Sequence, residues 1–299
     1  MQELTRGYGL IEGPLWLSES SDSKAVEADS PAGLLFSDVL GGGVFSLAAD
    51  GLVKTVFEHR RGIGGMAWHQ AGGVVVSGRN VSFKSFSGGA TEVLLDRDEA
   101  GGNVGYNDLT TDSAGRIYVG SLGASPVFAD GREPASGDLY LIDLDGSSRP
   151  VAQDIQLTNG LGFAPDGKTL YHSDSRRRTV YSYDVAANGD LGAKQVFVET
   201  ASGAPDGLAV AVDGSVWVAL AGGGGVAGYS AGGEFLQLLS IPEPMCTSVC
   251  FGGRGLADLY IVSGSDGAPS DQAGAVYCCK APVPGLRVPK ARVALPERS

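Results

Sequence analysis

The stretch YNDLTTDSAGRIYVG, residues 106–120, contains the repeating unit from which the fold is predicted. A short strand-like run after Asn107 and Asp108 passes through a Gly turn into the apolar tetrapeptide IYVG (117–120). Such runs of β-branched and aromatic residues are typical of strands. Five similar tetrapeptides occur elsewhere, at LLFS (34–37), VVVS (74–77), LYHS (170–173), VWVA (216–219) and LYIV (259–262). Their spacing of roughly 45 residues indicates a structural repeat.

Each tetrapeptide lies between two other strand signals. One precedes it, as in EGPLW (12–16) and NGLGF (159–163), and one follows it, as in VFSL (44–47) and VYSY (180–183). The dipeptides DG and NG, which supply the positive φ of hairpin turns, separate the runs, and no long stretch has helical periodicity. We therefore predict an all-β fold, a six-bladed β-propeller that forms a single domain over residues 1–299.

Composition excludes several classes of partner. The net charge of −12 disfavours nucleic acid and anionic membranes, and no run is long enough for a transmembrane helix. The N-terminal residues lack the apolar region of a signal peptide, so we expect a cytoplasmic protein. None of the four cysteines forms a C-x-x-C pair, so they are predicted to be free thiols rather than zinc ligands. The oligomeric state stays open.

Aligning the first strands of the six units brings six residues to one equivalent position. They are Glu12, Gly64, Asn107, Asn159, Asp206 and Thr247. In a propeller the first strand of each blade lines the central channel, so these positions form a ring around the axis. Four of them carry carboxylate or amide oxygens, which are ligands for hard divalent cations. The ring therefore predicts a cation site, although Asn and Asp also occur at strand starts as turn residues.

The motifs in combination resemble those of the regucalcin (senescence marker protein)/gluconolactonase family. The similarity extends from about residue 10 to about residue 290 and is carried by EGPLW (12–16), YNDLTTDSAGRIYVG (106–120), TNGLGFAPDGKTLYHSDS (158–175), PDGLAVAVDGSVWVA (205–219) and TSVCFGG (247–253). The resemblance implies a propeller with one divalent cation in its channel and the hydrolysis of lactones. It also implies that Glu12, Asn159 and Asp206 are the metal ligands.

The resemblance further implies roles for the residues beside the metal. Tyr106, Asn107 and Asp108 are expected to contact the substrate, and Asp206 is the first candidate for the catalytic base, with Asp108 as its rival. Family members that act on sugar lactones often carry Arg two residues before the Asn of the ND pair, where this chain has Gly105. Loss of a guanidinium removes a strong hydrogen-bond donor, which favours a less polar or larger lactone.

Several alternatives stay open at this point. The cation is expected to be Ca²⁺, with Mg²⁺, Mn²⁺ or Zn²⁺ possible. The same fold could instead form a non-catalytic calcium-binding propeller, or an esterase or phosphotriesterase. His172 is predicted to be a packed residue, or one that supports the site from behind its ligands, rather than a catalytic one. An insert at residues 123–137 makes the third repeat unusually long and is expected to form a lid over one face and to shape specificity.

Overall fold

The computed structural model describes residues 1–17, 31–128 and 131–296. These residues form six four-stranded antiparallel sheets, which confirms the predicted all-β six-bladed propeller. The one helical element within the described residues is a 3₁₀ turn, η1 (Arg254–Leu256). No helix in these three ranges has the length and apolar character needed to cross a membrane.

Each sheet is one blade. In five blades the four strands run from the axis to the rim in chain order, and in the sixth the outermost strand comes from the N-terminus. The innermost strands are β2 (Ile11–Leu17), β6 (Met66–His69), β10 (Gly105–Thr111), β14 (Thr158–Phe163), β18 (Ala204–Val210) and β22 (Cys246–Gly252). The second strands are β3 (Gly33–Asp38), β7 (Gly73–Val76), β11 (Ile117–Leu122), β15 (Thr169–Asp174), β19 (Val216–Ala221) and β23 (Asp258–Ser263). Five of these second strands contain the full apolar tetrapeptide of their repeat, and β7 contains the first three residues of VVVS (74–77).

The two outer strands complete each blade. The third strands are β4 (Val44–Leu47), β8 (Val81–Ser85), β12 (Gly137–Ile142), β16 (Thr179–Asp184), β20 (Gly225–Tyr229) and β24 (Gly274–Lys280). The outermost strands are β5 (Val53–Phe57), β9 (Glu92–Leu95), β13 (Ser148–Ile155), β17 (Gln195–Glu199), β21 (Phe235–Ser240) and β1 (Gln2–Tyr8). The outermost strand of the sixth blade therefore comes from the N-terminus.

The innermost strands contact one another in a closed circle around the channel. β2 packs against β6, β6 against β10, β10 against β14, β14 against β18, β18 against β22, and β22 against β2. Pairing of β1 with β24 joins the two ends of the ring within one sheet. Closure leaves each blade flanked on both faces, so its second strand is buried on both sides. Leu34, Leu35 and Phe36, for example, have no exposed surface.

The chain after β24 crosses one end of the channel. We call residues 281–296 the C-terminal segment. It forms backbone hydrogen bonds from Leu286 N to Val210 O (2.9 Å), from Ala291 N to Trp68 O (2.7 Å) and from Arg292 N to Gly115 O (2.8 Å). These partners lie at or just beyond the ends of innermost strands, so the segment bridges blades at the end of the channel opposite the starts of those strands.

The remaining predictions about local structure concern His172, the cysteines and the long third repeat. His172 is fully buried, as expected for a packed residue, and the four cysteines are free thiols. Part of the long third repeat is described, and Phe128 lies against Gly62, beside the starts of the innermost strands. Residues 129 and 130 of that repeat lie outside the described residues, so the predicted lid stays a prediction.

Candidate functional site

The ring positions lie where the innermost strands begin. Glu12 is in β2, Asn159 in β14 and Asp206 in β18, and their exposed fractions are 9%, 8% and 5%. Asn107 and Asp108 are partly buried in β10. Four blades thus each send at least one carboxylate or amide to the axis at the same level.

A chain of hydrogen bonds connects the amide side chains from one blade to the next. Asn107 Nδ2 donates to Asn159 Oδ1 (2.6 Å) and lies 2.9 Å from Thr158 O. Asn159 Nδ2 donates to Ser175 Oγ (2.6 Å), and Ser175 in turn donates to Pro205 O (2.6 Å), beside Asp206. The network orients the Asn159 amide, with Oδ1 toward Asn107 and Nδ2 toward Ser175.

The three carboxyl groups of the site repel one another. Burial raises the pKa of Glu12 well above its usual range, and the carboxylates of Asp206 and Asp108 raise it further. Burial and Asp108 likewise raise the pKa of Asp206, and burial raises that of Asp108 to about 7. No ion pair in the described part of the chain involves any of the three. Their negative charge therefore has no cationic side chain to balance it.

A divalent cation fits this donor set. Asp206 Oδ1 is buried and has no hydrogen-bond partner, which leaves it available as a ligand. Among the described residues, no three side chains of the types His, Cys, Asp and Glu form a group that could hold a metal ion. An ion between Glu12 and Asp206 would therefore need the amide oxygen of Asn159. Such an all-oxygen set suits Ca²⁺, Mg²⁺ or Mn²⁺ better than Zn²⁺.

The two other ring positions do not offer free oxygens. Gly64 has no side chain, and a Cβ placed there would overlap with Asn107 Oδ1. The hydroxyl of Thr247 faces two backbone carbonyls, Ile11 O at 2.6 Å and Val262 O at 3.2 Å, and is fully buried. Gly64 thus makes room for Asn107, and Thr247 joins two neighbouring blades.

At the position that follows each ring residue on the innermost strands, the backbones of neighbouring blades are almost in contact. The six equivalent positions are Gly13, Gly65, Asp108, Gly160, Gly207 and Ser248. A Cβ on Gly65 would lie 2.6 Å from Asp108 Oδ1, and a Cβ on Gly207 would lie 2.8 Å from the Cα of Ser248. We call these six residues the glycine layer. Asp108 and Ser248 are the two residues of the layer that have side chains. Both line a cavity that lies beyond the layer, toward the ends of the innermost strands.

Tyr106 does not join the group at the axis. Its side chain is 2% exposed, packs edge-on against Tyr140 with ring centroids 6.1 Å apart, and donates a hydrogen bond to Asp96 O (2.9 Å). The ring belongs to a buried apolar cluster that includes Leu109 and Ile117. The predicted substrate contact of Tyr106 therefore has no support in its position.

Two residues support the site from behind it, of which Ser175 was not predicted from the sequence and His172 was expected either to pack or to support the site. Ser175 positions Asn159, and His172 Nε2 lies 2.7 Å from the hydroxyl of Thr158, the residue before Asn159. Both belong to the motif LYHSDS, so a polar cluster at the end of an apolar strand is the signal that could have identified them.

Comparisons with known proteins agree with this architecture. The family model described as SMP-30/Gluconolactonase/LRE-like region matches residues 10–265. The chain is 29% identical to a 6-deoxy-6-sulfogluconolactonase of Pseudomonas putida, covering 86% of this chain and 89% of that protein. It is 34% identical to a pentonolactonase of Haloferax volcanii over 58% of this chain and 61% of that protein. A calcium-binding regucalcin of Agrobacterium tumefaciens has the same fold, with a TM-score of 0.81, 20% identity and coverage of 97% of each chain.

Proposed function

The chain belongs to the SMP-30/gluconolactonase/LRE-like family, and from that premise we propose that it is a divalent-metal-dependent hydrolase that opens a lactone. One observation carries the proposal: buried carboxylates from separate blades converge on the axis without a cationic partner, and one of their oxygens is unsatisfied. Relatives named as lactonases, one acting on a sulfogluconolactone and one on a pentonolactone, support the reaction class.

Glu12, Asn159 and Asp206 would hold the cation, and Ca²⁺ is the ion we expect. A calcium-binding relative of the same fold supports that choice, as does the all-oxygen donor set. When bound, the ion would supply Lewis acidity to a lactone carbonyl and stabilise the developing oxyanion. The Asn107–Asn159–Ser175 hydrogen bonds would keep the amide ligand oriented.

Two carboxylates of this chain can accept the proton of the attacking water. Asp206 is the residue that the family resemblance indicates, but as a metal ligand it would have one oxygen committed. Asp108 lies outside the proposed ligand set, and Leu109 N donates to its Oδ1 (2.8 Å), which leaves Oδ2 unengaged. Its pKa of about 7 suits proton transfer at neutral pH. We therefore propose Asp108 as the base and retain Asp206 as the alternative.

The substrate is proposed to be less polar than a sugar lactone. A Cβ at Gly105 would lie 2.7 Å from Gly78 O, so the backbone leaves no room for a side chain that could reach a polyhydroxylated ring. Asn107 and Asp108 would be the polar contacts of the substrate. With so few polar contacts, the site can recognise only a few substrate oxygens, which fits a lactone with a hydrocarbon body.

The test is metal-dependent turnover. Protein treated with chelator is assayed on sugar lactones, alkyl lactones, aryl esters and a phosphotriester, first without metal and then with Ca²⁺, Mg²⁺, Mn²⁺ or Zn²⁺ restored. We expect lactone opening to return with one of these ions, to be faster for alkyl than for sugar lactones, and to be lost in Asp206→Ala.

Asp271→Asn, a change at an exposed aspartate away from the axis, is the matched control and should behave as wild type. Tight Ca²⁺ binding without turnover of any lactone would contradict the enzymatic proposal and favour a calcium-binding propeller. Turnover of only the aryl esters or the phosphotriester would assign a different hydrolase to the same scaffold.

A further inference from the structure

A second chamber occupies the channel beyond the glycine layer. It has a volume of about 450 Å³ and is lined by residues from all six innermost strands and from the C-terminal segment. Its inner end is formed by Asp108 and Ser248, while Glu12, Asn159 and Asp206 do not line it. We call this cavity the lower chamber. It is separated from the proposed metal ligands by the close backbone packing of the glycine layer.

The walls of the lower chamber are mainly apolar. The side chains that form them include Trp16, Met66, Trp68, Phe163 and Val249. Ser248 has an exposed fraction of only 5%, and the glycines beside it contribute no polar side chain. A highly hydroxylated ligand would leave its hydroxyl groups unpaired in such a cavity, whereas a hydrocarbon body would be favourably desolvated.

The outer end of the lower chamber is basic. The part of the C-terminal segment that spans residues 286–292 holds three basic residues, Arg287, Lys290 and Arg292, and no acidic residue, in a chain whose net charge is −12. All three line the chamber, where Asp108 is the sole acidic side chain among the described lining residues. Lys290 Nζ lies 3.8 Å from the centroid of the Trp68 ring, so a positive charge is held directly at the edge of the apolar wall.

We propose that the lower chamber binds an amphiphilic monocarboxylate, with its hydrocarbon body along Trp16, Met66 and Trp68 and its carboxylate at Lys290. Apolar walls select the body of the ligand, and the basic segment selects the sign of its charge. The inference goes beyond lactone hydrolysis and does not rest on it, because neither the proposed metal ligands nor turnover enters the argument.

Tryptophan fluorescence can detect this binding, because two of the three tryptophans of the chain line the chamber while Trp217 is buried elsewhere. Decanoate is titrated into the full-length protein, with decanol and gluconate as comparison probes. We expect a saturable change with decanoate, a much weaker one with decanol and none with gluconate. Calorimetry with the same probes gives the dissociation constants.

Two variants locate the site. Lys290→Met should raise the dissociation constant for decanoate by about ten-fold or more. Ala209→Phe, which places a ring inside the chamber, should abolish binding. Lys168→Met removes an exposed lysine from the turn after β14, at the same end of the channel, and should leave binding unchanged.

Two results would overturn the proposal: no saturable response to decanoate, or a response that Lys290→Met and Ala209→Phe leave intact. Equal affinity for decanol would overturn the role of the basic segment. Because Lys290 is exposed, its variant tests the site even if Ala209→Phe fails to fold. Lactone turnover is measured in the same preparations, so failure of the lactonase proposal is distinguished from failure of decanoate binding.

Discussion

The two ends of the channel are built from the same six strands, yet their chemistry is opposite. At the strand starts, Glu12, Asn159 and Asp206 present oxygens in an excess of negative charge. At the strand ends, tryptophan, leucine and valine side chains meet a basic segment of the chain. The difference shows that position along a propeller strand, as well as the blade to which the strand belongs, determines what the axis can bind.

The glycine layer allows these two regions to exist side by side. Without side chains at Gly13, Gly65, Gly160 and Gly207, neighbouring backbones approach closely enough to narrow the channel. Asp108 is the residue that belongs to both regions, since it interacts electrostatically with Glu12 and Asp206 and also lines the lower chamber.

Replacing Asp108 tests whether this residue acts as the base at the proposed metal site or serves only the lower chamber. If Asp108 is the base, Asp108→Asn should lower kcat for lactone opening by about 10²–10³-fold, because a neutral amide cannot accept the proton. Ca²⁺ binding should persist, since the three proposed ligands are unchanged. Steady-state kinetics and calorimetry on the same sample check both points, with Asp271→Asn as control. Unchanged kcat would assign the base to Asp206 and leave Asp108 to the lower chamber.

Adding one methyl group to the glycine layer tests the boundary itself. In Gly207→Ala the new Cβ overlaps with Ser248 Oγ and meets backbone of the next blade, so we expect a loss of about 3 kcal/mol in the free energy of unfolding. Urea denaturation measures it. Gly232→Ala, in a turn where the nearest atom would be 3.7 Å away, should change stability little. Equal stability of the two variants would mean that the blades are not closely packed at this level.

The buried His172 behind the ring predicts that stability depends on pH. Burial lowers the pKa of His172 to about 3 in the folded state, below its ordinary value of 6.5. The unfolded chain therefore binds a proton that the folded chain does not, and the contribution of His172 to stability is lost as the pH falls below 6.5. Between pH 7 and pH 5 this contribution should be a loss of about 2 kcal/mol, opposed by Asp108, whose raised pKa favours the folded state on acidification.

Urea denaturation of wild type and His172→Gln at both pH values isolates this contribution. The variant should lose less stability than wild type on acidification, because its side chain does not titrate. Identical losses in the two proteins would show that His172 is protonated as readily in the folded state as in the unfolded chain.

The sequence predicts the repeating strands of the blades. It does not predict the features that depend on contacts between segments far apart in the chain. The tetrapeptides identify all six second strands because alternation and apolar runs are local properties. Closure of the sixth blade by β1 is not visible locally, since its partner β24 lies at the other end of the chain. The C-terminal segment is held by backbone hydrogen bonds, which leave no pattern in side-chain types.

The residues of the candidate site also fall into a group that the sequence predicts and a group that it does not. Alignment of the repeats indicates Glu12, Asn159 and Asp206 as equivalent positions, because the blades share one geometry. It cannot indicate that Tyr106 turns into the core, that Ser175 positions Asn159, or that Ser248 faces a second cavity, because each depends on packing between blades. Repeat geometry is local, whereas the environment of each residue depends on its neighbour in the ring.

Titration calorimetry of Ca²⁺ into chelator-treated protein tests the central idea most directly. If oxygens from three blades share one ion, wild type and Asp271→Asn should bind one Ca²⁺ per chain, while Glu12→Gln, Asn159→Ala and Asp206→Ala should each weaken that binding by more than about ten-fold. Absence of binding in wild type, or affinity that all three variants retain, would contradict the account.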